Sequence, residues 1–267
     1  MAVIDDWNTD RVRRFRAEAA SRVLPAEEIE EWIRAAVPGT FFTQGGDGPL
    51  AARMGGEPVL PEDAPEPRHP LIARVDCALI PRSATGLPLP PEGDLLFFAD
   101  LELGLHGPMN DAVCHVPAGT PATVRHAETA YGPFVPQDMR TMWHHVSPPM
   151  PESFAEARWD EPDDEEYELA EELQSAWTHV GGSWPTWTFA LGAHPVVLND
   201  DPLLLARDDA AETGDAAADP DDWAVLATWR CGEQIPELDS RVVTWMIRRQ
   251  DLASLRFDRV YGHVDRA

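Results

Sequence analysis

The chain contains no lysine, so all 21 of its basic side chains are arginine. That absence removes several chemistries at once: a phosphate-loop lysine, a Schiff base to pyridoxal phosphate and the nucleotide lysine of a kinase. Cysteine is scarce too, with three residues, Cys77, Cys114 and Cys231. Their number is odd and their spacing matches neither a disulfide framework nor a zinc knuckle, so they read as reduced thiols of a cytoplasmic protein. Nowhere do roughly 18 apolar residues run together, and no membrane span is expected. Residues 1–22 are charged throughout and lack the apolar stretch of a signal peptide, so no export is expected.

What is present in excess is acid. The formal charge is −26 over 267 residues, which repels phosphate backbones and anionic headgroups and makes nucleic acid and membranes poor partners. The same field attracts a basic protein, while also serving solubility alone. A hydrophobic content of 43% is enough for a packed core.

Residues Val12, Phe15, Ala19 and Val23 recur at helical spacing behind the capping residues Asn8, Thr9 and Asp10, which predicts a first helix. A second runs over 26–37, with Glu27 and Glu28 at its positive end, Ile29, Trp32, Ile33 and Ala36 as its buried stripe, and Gly39 to stop it. Short apolar runs broken by Gly and Pro then predict strands at 71–75, 95–99, 112–116 and 120–126. Helix returns over 162–177 with Tyr167, Ala170, Leu173 and Trp177 on one face. Residues 200–222 hold nine acids and one arginine, Arg207, which predicts a mobile acidic loop. Strands follow at 223–229, 242–247 and 260–264, with a helical turn at 250–255.

A Gly-Gly turn ending in proline occurs twice, at Gly55-Gly56-Glu57-Pro58 and at Gly181-Gly182-Ser183-Trp184-Pro185, each ahead of a pair of apolar strands. The expected class is therefore α+β: two related, mostly antiparallel β units from a weak internal repeat, with N-terminal helices and one mid-chain helix. One domain, 1–267, divides into helices at 1–40, a first β half at 41–160, and a helix plus second β half at 161–267.

At these residues the chain resembles the YwqG-like bacterial family, a domain of unknown function (family number 1963). The family's Gly-Gly-x-Pro-x-Leu-Pro is matched by residues 55–61, and its Leu-Pro-x-x-Gly-x-Leu-x-Phe-Phe by residues 89–98. Its closing Asp-Leu-Ala turn and aromatic-Asp-x-Val step are matched at 251–253 and 257–260, so the resemblance spans about 53–264. Where the family carries glutamine in two strands, this chain has Arg74 and Thr228. The resemblance implies a fold and transfers no activity.

Binding candidates are those whose placement is arguable. Asp76 and Asp100 each end an apolar strand, where an aspartate caps the following turn; antiparallel strands would keep the two apart. Arg74 replaces the family's glutamine. His179 stands near Ser183 on the second Gly-Gly turn, and Trp184 and Trp187 belong to a cluster of tryptophans in the second half. Arg248 and Arg249, with Arg256 and Arg259, form a locally basic stretch able to bind an anion or to pair with Asp251 and Asp258. His144-His145, His115, His126 and His194 lack metal-helix spacing, and no Gly-x-Ser-x-Gly elbow occurs. No metal and no cofactor are expected. The leading expectation is a non-catalytic cytoplasmic protein that binds a basic protein partner, as an immunity protein binds a toxin. The alternative is an enzyme or small-ligand binder with a pocket between the two β halves. A cavity lined by His, Asp and Arg with a perturbed ionisation favours the alternative; a flat apolar patch with an acidic rim favours the protein binder.

Overall fold

The computed structural model describes residues 9–46, 48–101, 106–108, 112–126, 132–181, 188–212, 222–233, 235–239 and 241–266. It opens with helices α1 (Thr9–Ser21) and α2 (Ala26–Ala35). Val12, Phe15 and Ala19 are buried as their spacing requires, and so are Ile29, Trp32, Ile33 and Ala36. Val23 is not part of the stripe. The helix has ended at Ser21, Val23 takes a φ of 63° and stands 89% exposed, and Leu24 packs on the helical cluster instead. The second helix stops at Ala35, before Gly39, because Ala36 turns extended ahead of a strand that contains Pro38.

Among the described residues eleven strands form one antiparallel sheet. The central pair is β1 (Val37–Thr43) and β9 (Gln137–Ser147). One meander consists of β2 (Leu50–Met54), β4 (Leu71–Asp76), β5 (Asp94–Phe98) and β7 (Val113–Val116); the other of β10 (Phe189–Leu191), β11 (Trp223–Arg230), β12 (Arg241–Arg248) and β13 (Tyr261–Arg266), with β6 (His106–Pro108) beyond it. The two meanders are interlocked. β1 precedes the first but pairs with β10 of the second, and β9 precedes the second but pairs with β2 of the first. The strands thus recur in order, but Gly55 and Gly56 follow β2 whereas Gly181 precedes β10, so the two Gly-Gly turns do not occupy equivalent places.

The sheet curls so that β5 faces β10 and β12 across its interior. Phe97 of β5 touches Phe189 of β10 and Trp245 of β12 at 5.2 and 5.4 Å between ring centroids, and the Trp245 indole N–H donates to the Phe98 carbonyl at 3.0 Å. Trp229, Trp245, Phe42, Phe97 and Phe189, all fully buried, fill the enclosed space. Aromatic side chains carry most apolar area per residue, and Trp229 of β11 and Trp245 of β12 are core, whereas Trp223 is partly buried on the outer face.

Three covers lie on the outer face. Helices α1 and α2 pack with α3 (Pro151–Arg158) and α4 (Asp164–Gly181) around Trp32, Trp177 and Phe154 and against Val146 of β9. The two-stranded antiparallel sheet of β3 (Val59–Pro61) and β8 (Ala122–Val124), strands distant in sequence, presses Leu60 onto Leu71, Leu96 and Phe98. The third is α5 (Pro202–Glu212), in the segment expected to be a mobile acidic loop. It is helical because Ala206 and Ala210, one turn apart, are buried facing the sheet, with Ala206 against Val225, Met246 and Tyr261, while Asp208 and Glu212 are exposed. Residues 213–221 lie outside the described residues. A short α6 (Arg249–Ala253) links β12 towards β13. No helix among the described residues is long and apolar enough to cross a membrane.

Candidate functional site

Strand alternation decides the first cluster. Ala52 and Met54, Ala73 and Val75, Leu95, and Met139 all enter the interior, so Arg53, Arg74, Asp94 and Asp138 project outward. Register sets Arg53 opposite Asp138 of β9 on one side and opposite Arg74 of β4 on the other, while Asp94 faces Asp76. Arg74 Nη2 donates to Asp94 Oδ2 at 2.6 Å, and Arg53 Nε lies 4.0 Å from Asp138 Oδ1. The hydrogen bond to Asp94 raises the Arg74 pKa further above its ordinary value. Two hollows share this arginine pair. One, of about 150 Å³, also touches Ala51, Asp76, Asp94 and Asp138; the other, of about 220 Å³, also touches Gly55, Gly56, Val59, Leu71 and Pro136. Gly55 is required there: its φ is +66°, and a Cβ would stand 2.8 Å from the Phe134 carbonyl oxygen.

The second cluster lies between α2–α3 and α5, where a cavity of about 430 Å³ opens. Its polar lining is Ser153, Glu156, His194, Asp201 and Arg207, and its apolar lining includes Met150, Phe154 and Leu203. His194 is held from both sides: its backbone N–H donates to Ser147 Oγ at 3.2 Å, and its Nε2 stands 2.9 Å from the Ala35 carbonyl oxygen. A carbonyl only accepts, so Nε2 carries the proton and Nδ1 presents a lone pair. Burial pushes the His194 pKa down, outweighing the upward pull of the Ala35 carbonyl and of Asp201, so the ring is neutral at neutral pH. Asp201 accepts from Ser153 Oγ at 3.1 Å and from the Leu203 N–H at 2.8 Å. The wall carrying His194 is anchored from β13: Asp265 accepts from the N–H groups of Leu198 and Asn199 and from Asn199 Nδ2.

Of the residues singled out from sequence, Arg74 and Asp76 meet in the first cluster. Asp76 also caps a turn, accepting from the Ala78 N–H at 3.0 Å. Asp100 is at the far end of the antiparallel pair, 3.9 Å from His69 Nδ1, and forms no dyad with Asp76. His179 is exposed on α4, and Trp184 and Trp187 lie outside the described residues, as do the side chains of His144 and His145. Arg248 is buried over the Trp223 ring at 5.1 Å, and Arg249 donates to the Gly86 carbonyl at 3.1 Å. Arg256 pairs with Asp258 at 2.7 Å. Thr228 faces the covered outer side and is buried, with no hydrogen bond to its hydroxyl. The pocket expected between the β halves is replaced there by the packed rings of Phe97, Phe189 and Trp245. Among the described residues no group of three His, Cys, Asp or Glu is placed to hold a metal.

Residues 52–265 match the family described as domain of unknown function DUF1963, and the chain belongs to that family. No curated protein matches it. Sequence reasoning missed Ser153 and Asp201, and weighed His194 only as a metal ligand before setting it aside. No local signal marked them, since 159 positions separate His194 from its partner Ala35.

Proposed function

We propose that the protein binds a small organic molecule in the cavity between α2–α3 and α5. One observation carries this reading. His194 is a part-buried, neutral imidazole in the cavity lining, and with Nε2 committed to the Ala35 carbonyl its Nδ1 is left as an acceptor. A neutral Nδ1 in the lining of a cavity can accept a hydrogen bond from a ligand donor. Beside it, Asp201 and Glu156 outnumber Arg207, and Met150, Phe154 and Leu203 offer apolar wall. The ligand is therefore neutral or cationic, with a hydrogen-bond donor and an apolar body.

The test is a fragment screen by protein-observed NMR, repeated with Ala157→Trp. Ala157 is an exposed lining residue whose enlargement blocks the cavity without entering the core. Hits that shift the His194 ring resonances and vanish in Ala157→Trp support the reading; hits that persist, or none among neutral and cationic fragments, sink it.

A second reading, a basic protein partner for a cytoplasmic protein, is supported by the net charge of −26 and by Asp164, Glu165, Glu168 and Glu171, all exposed on α4. It calls for a stoichiometric complex that forms at low salt and dissociates at high salt; one indifferent to salt contradicts it.

A further inference from the structure

The Arg53–Arg74 pair lies apart from the His194 cavity, and the hollows beside it share no lining residue with that cavity. Cross-strand neighbours in an antiparallel pair stand close, and like charges directly opposite one another cost stability. Here two guanidiniums are directly opposite on β2 and β4. Each is drawn towards an acid on its outer flank, Asp138 for Arg53 and Asp94 for Arg74. Neither contact uses the full donor set: a guanidinium offers five N–H groups in a planar fork, Arg74 gives Asp94 a single short bond, and Arg53 only approaches Asp138 at 4.0 Å. Both side chains are about half exposed, at 59% and 48%, so donors of both remain open to a ligand.

We propose that this pair clamps the carboxylate of a small organic monoanion whose apolar arm lies in the adjoining hollow. That hollow, about 220 Å³, is walled by Val59, Leu71 and Pro136 and backed by Gly55 and Gly56, with Glu57, which stands 3.2 Å from His126 Nδ1, also in its lining. A carboxylate between the arginines relieves their repulsion and takes charge-assisted bonds from both. The flanking Asp76, Asp94 and Asp138, Glu57 in the hollow itself and the protein's overall charge of −26 select against a polyanion and favour a single negative charge. The apolar wall then discriminates among monocarboxylates by the size of the arm.

The experiment is an NMR titration following the Arg53 and Arg74 Nε–Hε signals. The probes are acetate, N-acetylglycine and N-acetylleucine, then N-acetylleucine amide, and inorganic phosphate as a separate arm. The carboxylates are expected to give saturable shifts at both arginines, tightening from acetate to N-acetylleucine, with no saturable shift from the amide. Arg53→Gln and Arg74→Gln each weaken N-acetylleucine by about tenfold, the worth of one lost charge-assisted bond. Arg256→Gln, which makes the same charge change outside the hollow, leaves the affinity unaltered. The proposal is overturned if no carboxylate saturates, if the amide binds equally, or if Arg256→Gln weakens binding as much. Saturation by phosphate with none by N-acetylleucine overturns it in favour of an oxyanion site without an apolar arm.

Discussion

Replacing Asp265 with asparagine tests how the wall of the His194 cavity is held. Asp265 is 5% exposed on β13. Its Oδ2 accepts from the N–H groups of Leu198 and Asn199 at 2.8 and 3.0 Å, and its Oδ1 from Asn199 Nδ2 and the Arg266 N–H at 2.6 and 2.9 Å. In Asp265→Asn one oxygen becomes an NH₂ that cannot accept, so whichever way the amide turns, two of these bonds are lost and donors face donors. At about 1.5 kcal/mol for each bond to a charged acceptor, the loss is about 3 kcal/mol. Urea denaturation at neutral pH measures it, and faster amide exchange at Leu198 and Asn199 localises it.

The pH dependence has a definite sign. Burial pushes the Asp265 pKa up, but the bonds from Asn199 and Leu198 outweigh it and hold the folded carboxyl below its ordinary range. The unfolded chain takes up this proton near pH ~4, before the folded state does. The contribution is therefore complete above that pH and falls away as pH drops through the lower folded value. The gap between wild type and Asp265→Asn should narrow in that acid window. A variant within about 0.5 kcal/mol of wild type at neutral pH would falsify the anchoring role.

Three further outcomes are expected. Trp245→Phe deletes the bond to the Phe98 carbonyl and leaves a gap between β12 and β5, costing about 2–3 kcal/mol in chemical denaturation; a loss below about 1 kcal/mol means this link does not hold the curl closed. Gly93→Ala is expected to cost more than about 2 kcal/mol, because φ is +87° and the new Cβ would lie 2.4 Å from the Val116 carbonyl oxygen. Gly119→Ala, at φ +76° with nothing within 4 Å, costs only about 1 kcal/mol, and equal losses at the two sites refute the steric account. Cys77 and Cys231 are buried, their thiols pushed up to about 12 mainly by burial, whereas Cys114 is only half-buried. A thiol reagent at pH 8 should therefore modify Cys114 alone in the native protein, and reaction at Cys77 or Cys231 before unfolding contradicts their placement.

Where local periodicity and burial agree, the sequence was legible. α1, α2 and α4 show their apolar faces at helical spacing, and β4, β5, β11 and β12 are apolar runs bounded by turn residues. β1 and β9, the centre of the sheet, were not recognised. β1 contains Pro38 and Gly39, which argue against a central strand, and β9 carries Asp138 and Arg140 on an outer face that no cover requires to be apolar. α5 was read as a loop from its acids, although Ala206 and Ala210 at i and i+4 were a visible signal of a face to bury. At the candidate sites only Arg74 and Asp76 were identified in advance, because their strand was.

By itself the sequence determined the class of protein, its acidity, the chemistries that need lysine and the turns that need glycine. These depend on residue type or on neighbours a few positions apart. Only the tertiary structure decided that β1 and β9 lock the two meanders together, that Arg53 stands opposite Arg74, and that Ala35, Ser153, His194 and Asp201 meet around one cavity. Cross-strand register and the packing of helices over a curled sheet are set by contacts between residues tens to more than a hundred positions apart, and no local pattern encodes which distant partner each will find.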